Sequence, residues 1–264
     1  MRERARPLLC ELHAHSTWSD GAFGVPALVD LYGEAGFDVL AVTDHVLRPG
    51  RASAGAVSRA NHGAYLAELE AEAERALARY ELLLIPGLEL TYDDPDPRRA
   101  AHVLALGAQR FVGLERGLDT SLVEARAGGA VLIGAHRYTL AATAGAPRST
   151  ARLAEDPEWA TAALHRFELC NRHDFFDWIA RAGLPFVATG DFHRPEHLAT
   201  WKTLVRCEKS ESAVVDHLRS DRPVALMRIE HDPRRGWDPR SRGRLGPGHD
   251  RRASSRPFEG RNRS

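Results

Sequence analysis

The sequence predicts an α/β fold, and three observations lead to it. Short apolar runs rich in Val, Ile and Leu recur along the chain, segments of helical length and periodicity separate most of them, and the composition is ordinary for a globular protein. Of the 264 residues 43% are hydrophobic and 27% charged, which sets aside coiled coil, collagen and wholesale disorder. The runs cover residues 8–12, 39–43, 82–90, 102–107, 131–135, 166–169 and 185–189, giving seven candidate strands. Between the first two, residues 25–36 are apolar at helical spacing and close on Gly36. Between the second and third, residues 58–80 carry an Ala/Glu/Arg/Leu pattern with Ser58 placed to cap it.

One connection breaks the alternation. Only about ten residues rich in Asp, Pro and Arg separate the third and fourth runs, too few for a parallel crossover, so these two strands are expected to be antiparallel neighbours. Beyond the seventh run, residues 203–208 and 223–229 read as a final strand or two flanking a helix at 211–219. From His231 the chain turns to Arg, Gly, Pro and Ser with too few apolar residues to bury a core. Residues 1–230 are therefore read as one domain and 231–264 as a disordered Arg-rich tail.

A formal net charge of zero hides that division. Ten arginines stand against four acids from Asp232 onward, which leaves 26 basic against 32 acidic residues in the body. Affinity of the whole protein for nucleic acid is not implied. Cys10, Cys170 and Cys207 are odd in number, far apart and without a CxxC pair, which argues against a disulfide framework or a thiolate zinc site and fits a reducing compartment. The first residues have no apolar h-region, and no run approaches 18 apolar residues, so a soluble cytoplasmic protein with no membrane partner is expected.

Thirteen histidines are many for this length, and their placement says more than their number. His13 and His15 close the first run as an HxH, and the period of two along a strand turns both imidazoles to one face. Asp20 follows in the turn Ser19-Asp20-Gly21, which can direct a carboxylate back toward them. His45 follows Asp44 after the second run, Glu89 lies near the end of the third, His136 follows the fifth, and Glu168 sits near the close of the sixth. Asp191 and His193 follow the seventh as another alternating pair. In barrels built from β/α units, side chains at the carboxyl ends of the strands converge on one mouth. His102 opens its run instead of closing it, but the antiparallel pairing brings it beside Glu89.

Imidazole and carboxylate without thiolate suit zinc, manganese or iron. His13, His15, Asp20, His45, Glu89, His102, His136, Asp191 and His193 exceed what one or two ions require, so three divalent ions, some sharing a carboxylate, are expected. Cations crowded together in this way suit a strongly anionic substrate and an ionised attacking water, which are the two needs of phosphate ester hydrolysis.

Laid out in order, these segments resemble the PHP (polymerase and histidinol phosphatase) family of metal-dependent phosphoesterases. The resemblance spans residues 8–208. Its motifs appear as Glu11-Leu12-His13-Ala14-His15, Ser19-Asp20-Gly21, Val42-Thr43-Asp44-His45, Pro86-Gly87-Leu88-Glu89, His102-Val103-Leu104-Ala105-Leu106-Gly107, Ile133-Gly134-Ala135-His136, Glu168-Leu169-Cys170-Asn171 and Gly190-Asp191-Phe192-His193. The resemblance implies a distorted (β/α)7 barrel with a trinuclear site at its mouth. It implies that His13, His15, Glu89 and Asp191 hold a first ion, that Glu89 bridges to a second held by His102 and His136, and that Asp20, His45 and His193 hold a third. The last motif usually reads Ser-Asp-small-His in the family, so Gly190 and the bulky Phe192 are departures.

The leading functional reading is a phosphoesterase acting on a small phosphomonoester such as a sugar, amino-alcohol or nucleotide phosphate, with a hydroxide bridging two ions as nucleophile. Asp191 and His193 belong to the reacting centre. Arg137 and Arg194, each directly after a ligand, are candidates for bidentate phosphate contacts, with Arg172 a third. Beside this stand two other readings: a nuclease or phosphodiesterase acting on an oligonucleotide end, and a catalytically silent metal-binding adaptor working through its Arg-rich tail. A barrel amidohydrolase with a carbamylated lysine is disfavoured, because Lys202 and Lys209 are the only lysines and both come late.

Overall fold

A computed structural model of the protein describes residues 6–50, 55–136 and 151–229. Every one of the seven apolar runs is a strand. The chain begins with β1 (Leu8–Glu11), α1 (Val25–Glu34), β2 (Val39–Val42), a short β3 (His45–Leu47) and α2 (His62–Tyr80). It continues with β4 (Leu83–Tyr92), β5 (Ala101–Leu106), α3 (Leu118–Ala127), β6 (Val131–Gly134), α4 (Arg152–Glu155) and α5 (Pro157–Ala163). The last described part holds β7 (Arg166–Asn171), β8 (Asp174–Phe175), α6 (Asp177–Arg181), β9 (Phe186–Thr189), β10 (Trp201–Val205), α7 (Glu211–Arg219) and β11 (Ala225–Arg228). The expected basic tail, 231–264, lies outside the described residues.

These strands form one mixed sheet in the order β11-β10-β1-β2-β4-β5-β6-β7, with β9 parallel to β7. Pairs β1·β2, β2·β4 and β6·β7 are parallel, while β5 runs antiparallel to both β4 and β6. One reversed strand is what the ten-residue connection demands, and it puts the start of β5 at the end of the sheet where its neighbours finish. The sheet curls until the segments just past β1 and β9 meet. There Ala14 bridges Phe192, with the His15 amide donating to the Phe192 carbonyl (2.8 Å) and the Phe192 amide to the His13 carbonyl (3.0 Å).

Two apolar layers hold this shape. On the concave side Leu8, Cys10, Leu12, Val39, Ala41, Ile85, Leu104, Leu106, Val131, Ile133 and Val187 pack together, joined by Val214, Val215 and Leu218 of α7. On the convex side the helices bury their periodic faces. Val25, Leu28, Val29 and Tyr32 of α1 recur at helical spacing and are buried, each aliphatic one contributing about 1.5–3 kcal/mol. The strand alternation therefore sends Ile85 and Glu89 to the concave side, and likewise Leu104 and His102. Polar groups thus sit on the same face as the inner apolar layer, toward its mouth end.

Two local expectations change, at the start of α2 and in the number of strands. Helix α2 starts at His62, not Ser58, because the Asn61 side chain accepts from the Ser58 amide (2.7 Å) and donates to the Ala56 carbonyl (3.1 Å), which makes residues 58–61 a turn. The register pairs Glu89 with Leu104 and His102 with Thr91, which brings His102 beside Glu89 as its diagonal neighbour on one face, as the antiparallel pairing leads one to expect. The short strands β3 and β8 are additional.

Candidate metal centre

The centre is built where β1, β2, β4, β6, β7 and β9 end and β5 begins. Past β1, His13 and His15 are fully buried on either side of Ala14. The turn carrying Asp20 is fixed by Asp44, whose carboxylate accepts from the Ser16 amide (2.8 Å), the Ser16 hydroxyl (2.7 Å) and the Ser19 hydroxyl (2.5 Å). Gly21 completes that turn against the backbone of His15 and Ser16, where any Cβ would overlap. Asp44 is thus used on the loop, while the adjacent His45 faces the centre.

The side chains gather in three overlapping groups. In the first, His13 Nε2 and His15 Nε2 lie 2.9 Å apart. Glu89 Oε2 is 3.4 Å from the former and 3.3 Å from the latter, and Asp191 Oδ1 is 3.5 Å from each. The second group forms on the other oxygen of the same carboxylate, Glu89 Oε1, with His102 Nδ1 at 3.0 Å and His136 Nε2 at 3.5 Å. In the third, Asp20 Oδ1 is 3.2 Å from His193 Nε2, 3.4 Å from His45 Nε2 and 3.9 Å from His15 Nδ1. Eight of the nine residues expected as ligands from the sequence fall in tight groups (His15, Asp20, His45 and His193; His13, Glu89 and His136; His13, His15 and Asp191), and the ninth, His102, joins them through Glu89. His15 touches the third group as well as the first, and Asp20, with its side chain 51% exposed, is the most open of them.

A second layer fixes the rings. His13 Nδ1 sits 2.8 Å from Glu168 Oε1, and Glu168 in turn accepts from the Thr189 hydroxyl, the Asn171 side-chain amide and the His136 backbone amide. Glu168 therefore orients one ligand and tethers the loop of another. His45 Nδ1 lies 2.7 Å from the Thr91 hydroxyl. Arg172 and Asp191 both adopt positive φ, 52° and 42°, and the Arg172 guanidinium reaches Asp191 Oδ2 (2.9 Å), the Asp191 carbonyl (3.1 Å) and His193 Nδ1 (3.0 Å). Arg172, a candidate phosphate contact from its place in the sequence, ties down a ligand turn. Arg194 is exposed and forms no ion pair among the described residues, and Arg137 lies outside them.

Beneath the mouth, Glu11 and Lys202 are both fully buried and 2.7 Å apart. Glu11 Oε1 also accepts from the His13 and Gly190 amides, at 3.2 and 2.8 Å, so one carboxylate anchors the starts of two ligand segments. This pair explains why glycine stands at 190, since a Cβ there would overlap Glu11 Oε2 and Lys202 Nζ. Gly190→Ala is expected to destabilise the fold by about 1–3 kcal/mol, read from urea midpoints at unchanged m-value. An unchanged midpoint would show that the pair yields freely.

Electrostatics sharpen the picture. Burial works against charge on His13, yet Asp191, Glu168 and Glu89 outweigh it and hold the imidazole well above its ordinary pKa. Burial and the neighbouring His45 push His15 down to about 3. For His45 burial again opposes, but Glu89 and Asp20 lift it to about 10. Burial would raise Glu89 and Asp191, but His45 and His13 hold the first, and His13 and His15 the second, well below the usual carboxylate range. Protons on His13 and His45 thus balance the carboxylates, so loading with cations releases protons.

The donor set fits divalent cations. Six imidazoles and three carboxylates with no thiolate turn lone-pair atoms toward shared points. Glu89 Oε1 and Asp191 Oδ1 are buried and meet no donor in hydrogen-bond geometry, although imidazole nitrogens stand 3.0–3.5 Å away. Acceptors left so are satisfied by a cation shared with those nitrogens.

The fold is PHP-like. It is similar to that of a solved two-domain protein from Bacteroides vulgatus containing a predicted PHP-like metal-dependent phosphoesterase, with a TM-score of 0.63 and 22% identity over 87% of this chain and 70% of that one. An amidohydrolase from Chromobacterium violaceum, solved with sulfate and no metal, gives a TM-score of 0.48 at 16% identity, covering 70% of this chain and 88% of that one. Among curated proteins, the DNA polymerase/3'-5' exonuclease PolX of Bacillus subtilis is 36% identical over 87 residues, which is 32% of this chain and 15% of PolX. No family model matches the chain. No helix among the described residues is long and apolar enough to cross a membrane.

Proposed function

We propose that the protein is a metal-dependent phosphoesterase whose curled sheet is a distorted (β/α)7 barrel holding three divalent ions. His13, His15, Glu89 and Asp191 hold the first, Glu89, His102 and His136 the second, and Asp20, His45 and His193 the third, with His15 near enough to contribute there too. The observation that carries this reading is the sharing of Glu89, whose Oε2 faces His13, His15 and His45 while Oε1 faces His102 and His136. When bound, the ions supply Lewis acidity toward a phosphate oxygen and an ionised water as nucleophile. The chain's own residues do the positioning. Glu168 keeps His13 turned inward, Arg172 holds the Asp191 turn, and buried walls exclude bulk water from the first two groups. Arg194, exposed beside His193, is free to meet an anionic substrate.

A small phosphomonoester is the preferred substrate class. The likeness to PolX over 87 residues favours a second reading, a diester at an oligonucleotide end. Chelator-treated protein restored with manganese or zinc and assayed on p-nitrophenyl phosphate and on bis-p-nitrophenyl phosphate tests both. We expect hydrolysis of the monoester to disappear with the metal and return with it. Turnover confined to the diester would favour the second reading, and tight metal binding with neither activity would leave only a silent binding module.

A further inference from the structure

Asp93 belongs to none of the metal-binding motifs; it lies in the short connection between β4 and β5. Its carboxylate nevertheless stands 3.1 Å from His102 Nε2, while the opposite ring nitrogen, Nδ1, faces Glu89 Oε1 at 3.0 Å. A carboxylate only accepts, so Asp93 holds the proton on Nε2 and leaves Nδ1 as the atom whose lone pair is available to a cation shared with Glu89 Oε1. The same device operates on the other side of the centre with the ring reversed: Glu168 takes His13 Nδ1 and leaves Nε2 facing inward. Asp93 is itself held. Arg48 donates to its backbone carbonyl (3.2 Å), pairs with Asp94 (2.8 Å) and lies over the Tyr92 ring at 4.9 Å. Arg48 directly follows β3, the strand that carries His45, so one arginine links the connection to the strand that supplies another ligand.

We propose that Asp93 is a positioning residue that sets the tautomer and orientation of His102 and thereby the affinity for the second ion. The proposal rests on the three-ion reading. Equilibrium dialysis of the full chain against manganese, with elemental analysis of bound metal and thermal melting as a check on folding, tests it in wild type, Asp93→Ala, Asp93→Asn, Asp93→Glu and His102→Ala. Wild type is expected to bind three ions and His102→Ala two. Asp93→Ala is expected to weaken one ion by about 10- to 100-fold and leave the other two unchanged, the scale of a lost outer-shell carboxylate. Asp93→Asn, which keeps the shape but not the charge, gives the same direction should the alanine variant fold poorly, and Asp93→Glu restores most of the affinity. Wild-type affinity for all three ions in Asp93→Ala and Asp93→Asn, with one ion lost in His102→Ala, would overturn the role of Asp93 and leave the three-ion centre standing. Three ions retained in His102→Ala would overturn the roles of both Asp93 and His102 while leaving a three-ion centre, and none bound by wild type would overturn the centre itself.

Discussion

Glu89→Ala is expected to lower phosphate-ester hydrolysis by at least about 100-fold and to reduce the metal bound at saturation by more than one ion per chain. Removing an outer-shell partner already costs about 10- to 100-fold in metal affinity or activity. Glu89 stands closer in than that, with one oxygen among His13 and His15 and the other between His102 and His136. The fold itself should tolerate the change, because the imidazoles that Glu89 now helps keep charged, His13 and His45, can lose their protons when it is gone. Steady-state kcat/KM on p-nitrophenyl phosphate, paired with elemental analysis, checks both parts. Activity within a few-fold of wild type would reject Glu89 as a bridge.

Lys202→Ala is expected to cost about 3–5 kcal/mol of stability, the scale of leaving one member of a buried ion pair without its partner. In a domain of this size that is a fall in Tm of roughly 6–20 °C. The orphaned Glu11 would remain buried, still accepting from the His13 and Gly190 amides and from the Tyr32 hydroxyl, but with no cation within reach. Because those amides begin the His13 and Asp191 segments, metal affinity should fall together with stability. Combining Lys202→Met with Glu11→Gln should recover part of the loss, since an uncharged pair avoids the stranded carboxylate. Calorimetry on the two variants decides it: equal melting of Lys202→Ala and wild type would mean the pair contributes little.

Much of the centre can be read in the amino-acid sequence because its ligands gather just past strand ends. His13 with His15 and Asp191 with His193 flank the bridged residues Ala14 and Phe192, so each pair arrives together, although the positive φ of Asp191 departs from strand geometry. Even the odd residue, His102, follows from the shortness of the connection ahead of it, which forces β5 to run backward. What cannot be read locally are contacts between segments whose relative placement only the folded sheet decides. Lys202 meets Glu11 because β10 lies antiparallel beside β1, and nothing near either residue announces it. Arg172 reaches Asp191 because two non-glycine residues take positive φ, which no periodicity encodes. Asp93 looks like one more acid in a charged loop, and its importance depends on which nitrogen of His102 faces outward. The strands β3 and β8, three and two residues long, are too short to show any alternation. The misplaced start of α2 has a similar cause, since Ser58 and Asn61 are both good cap residues and the side-chain bonds of Asn61 decide between them.

Anomalous diffraction from crystals of the manganese- or zinc-loaded protein, recorded above and below the metal edge, bears most directly on whether these side chains share a cluster of cations. Three peaks are expected: one among His13, His15, Glu89 and Asp191, one among Glu89, His102 and His136, and one beside Asp20, His45 and His193. Fully loaded protein with peaks elsewhere, or with none at Glu89, would contradict the trinuclear centre.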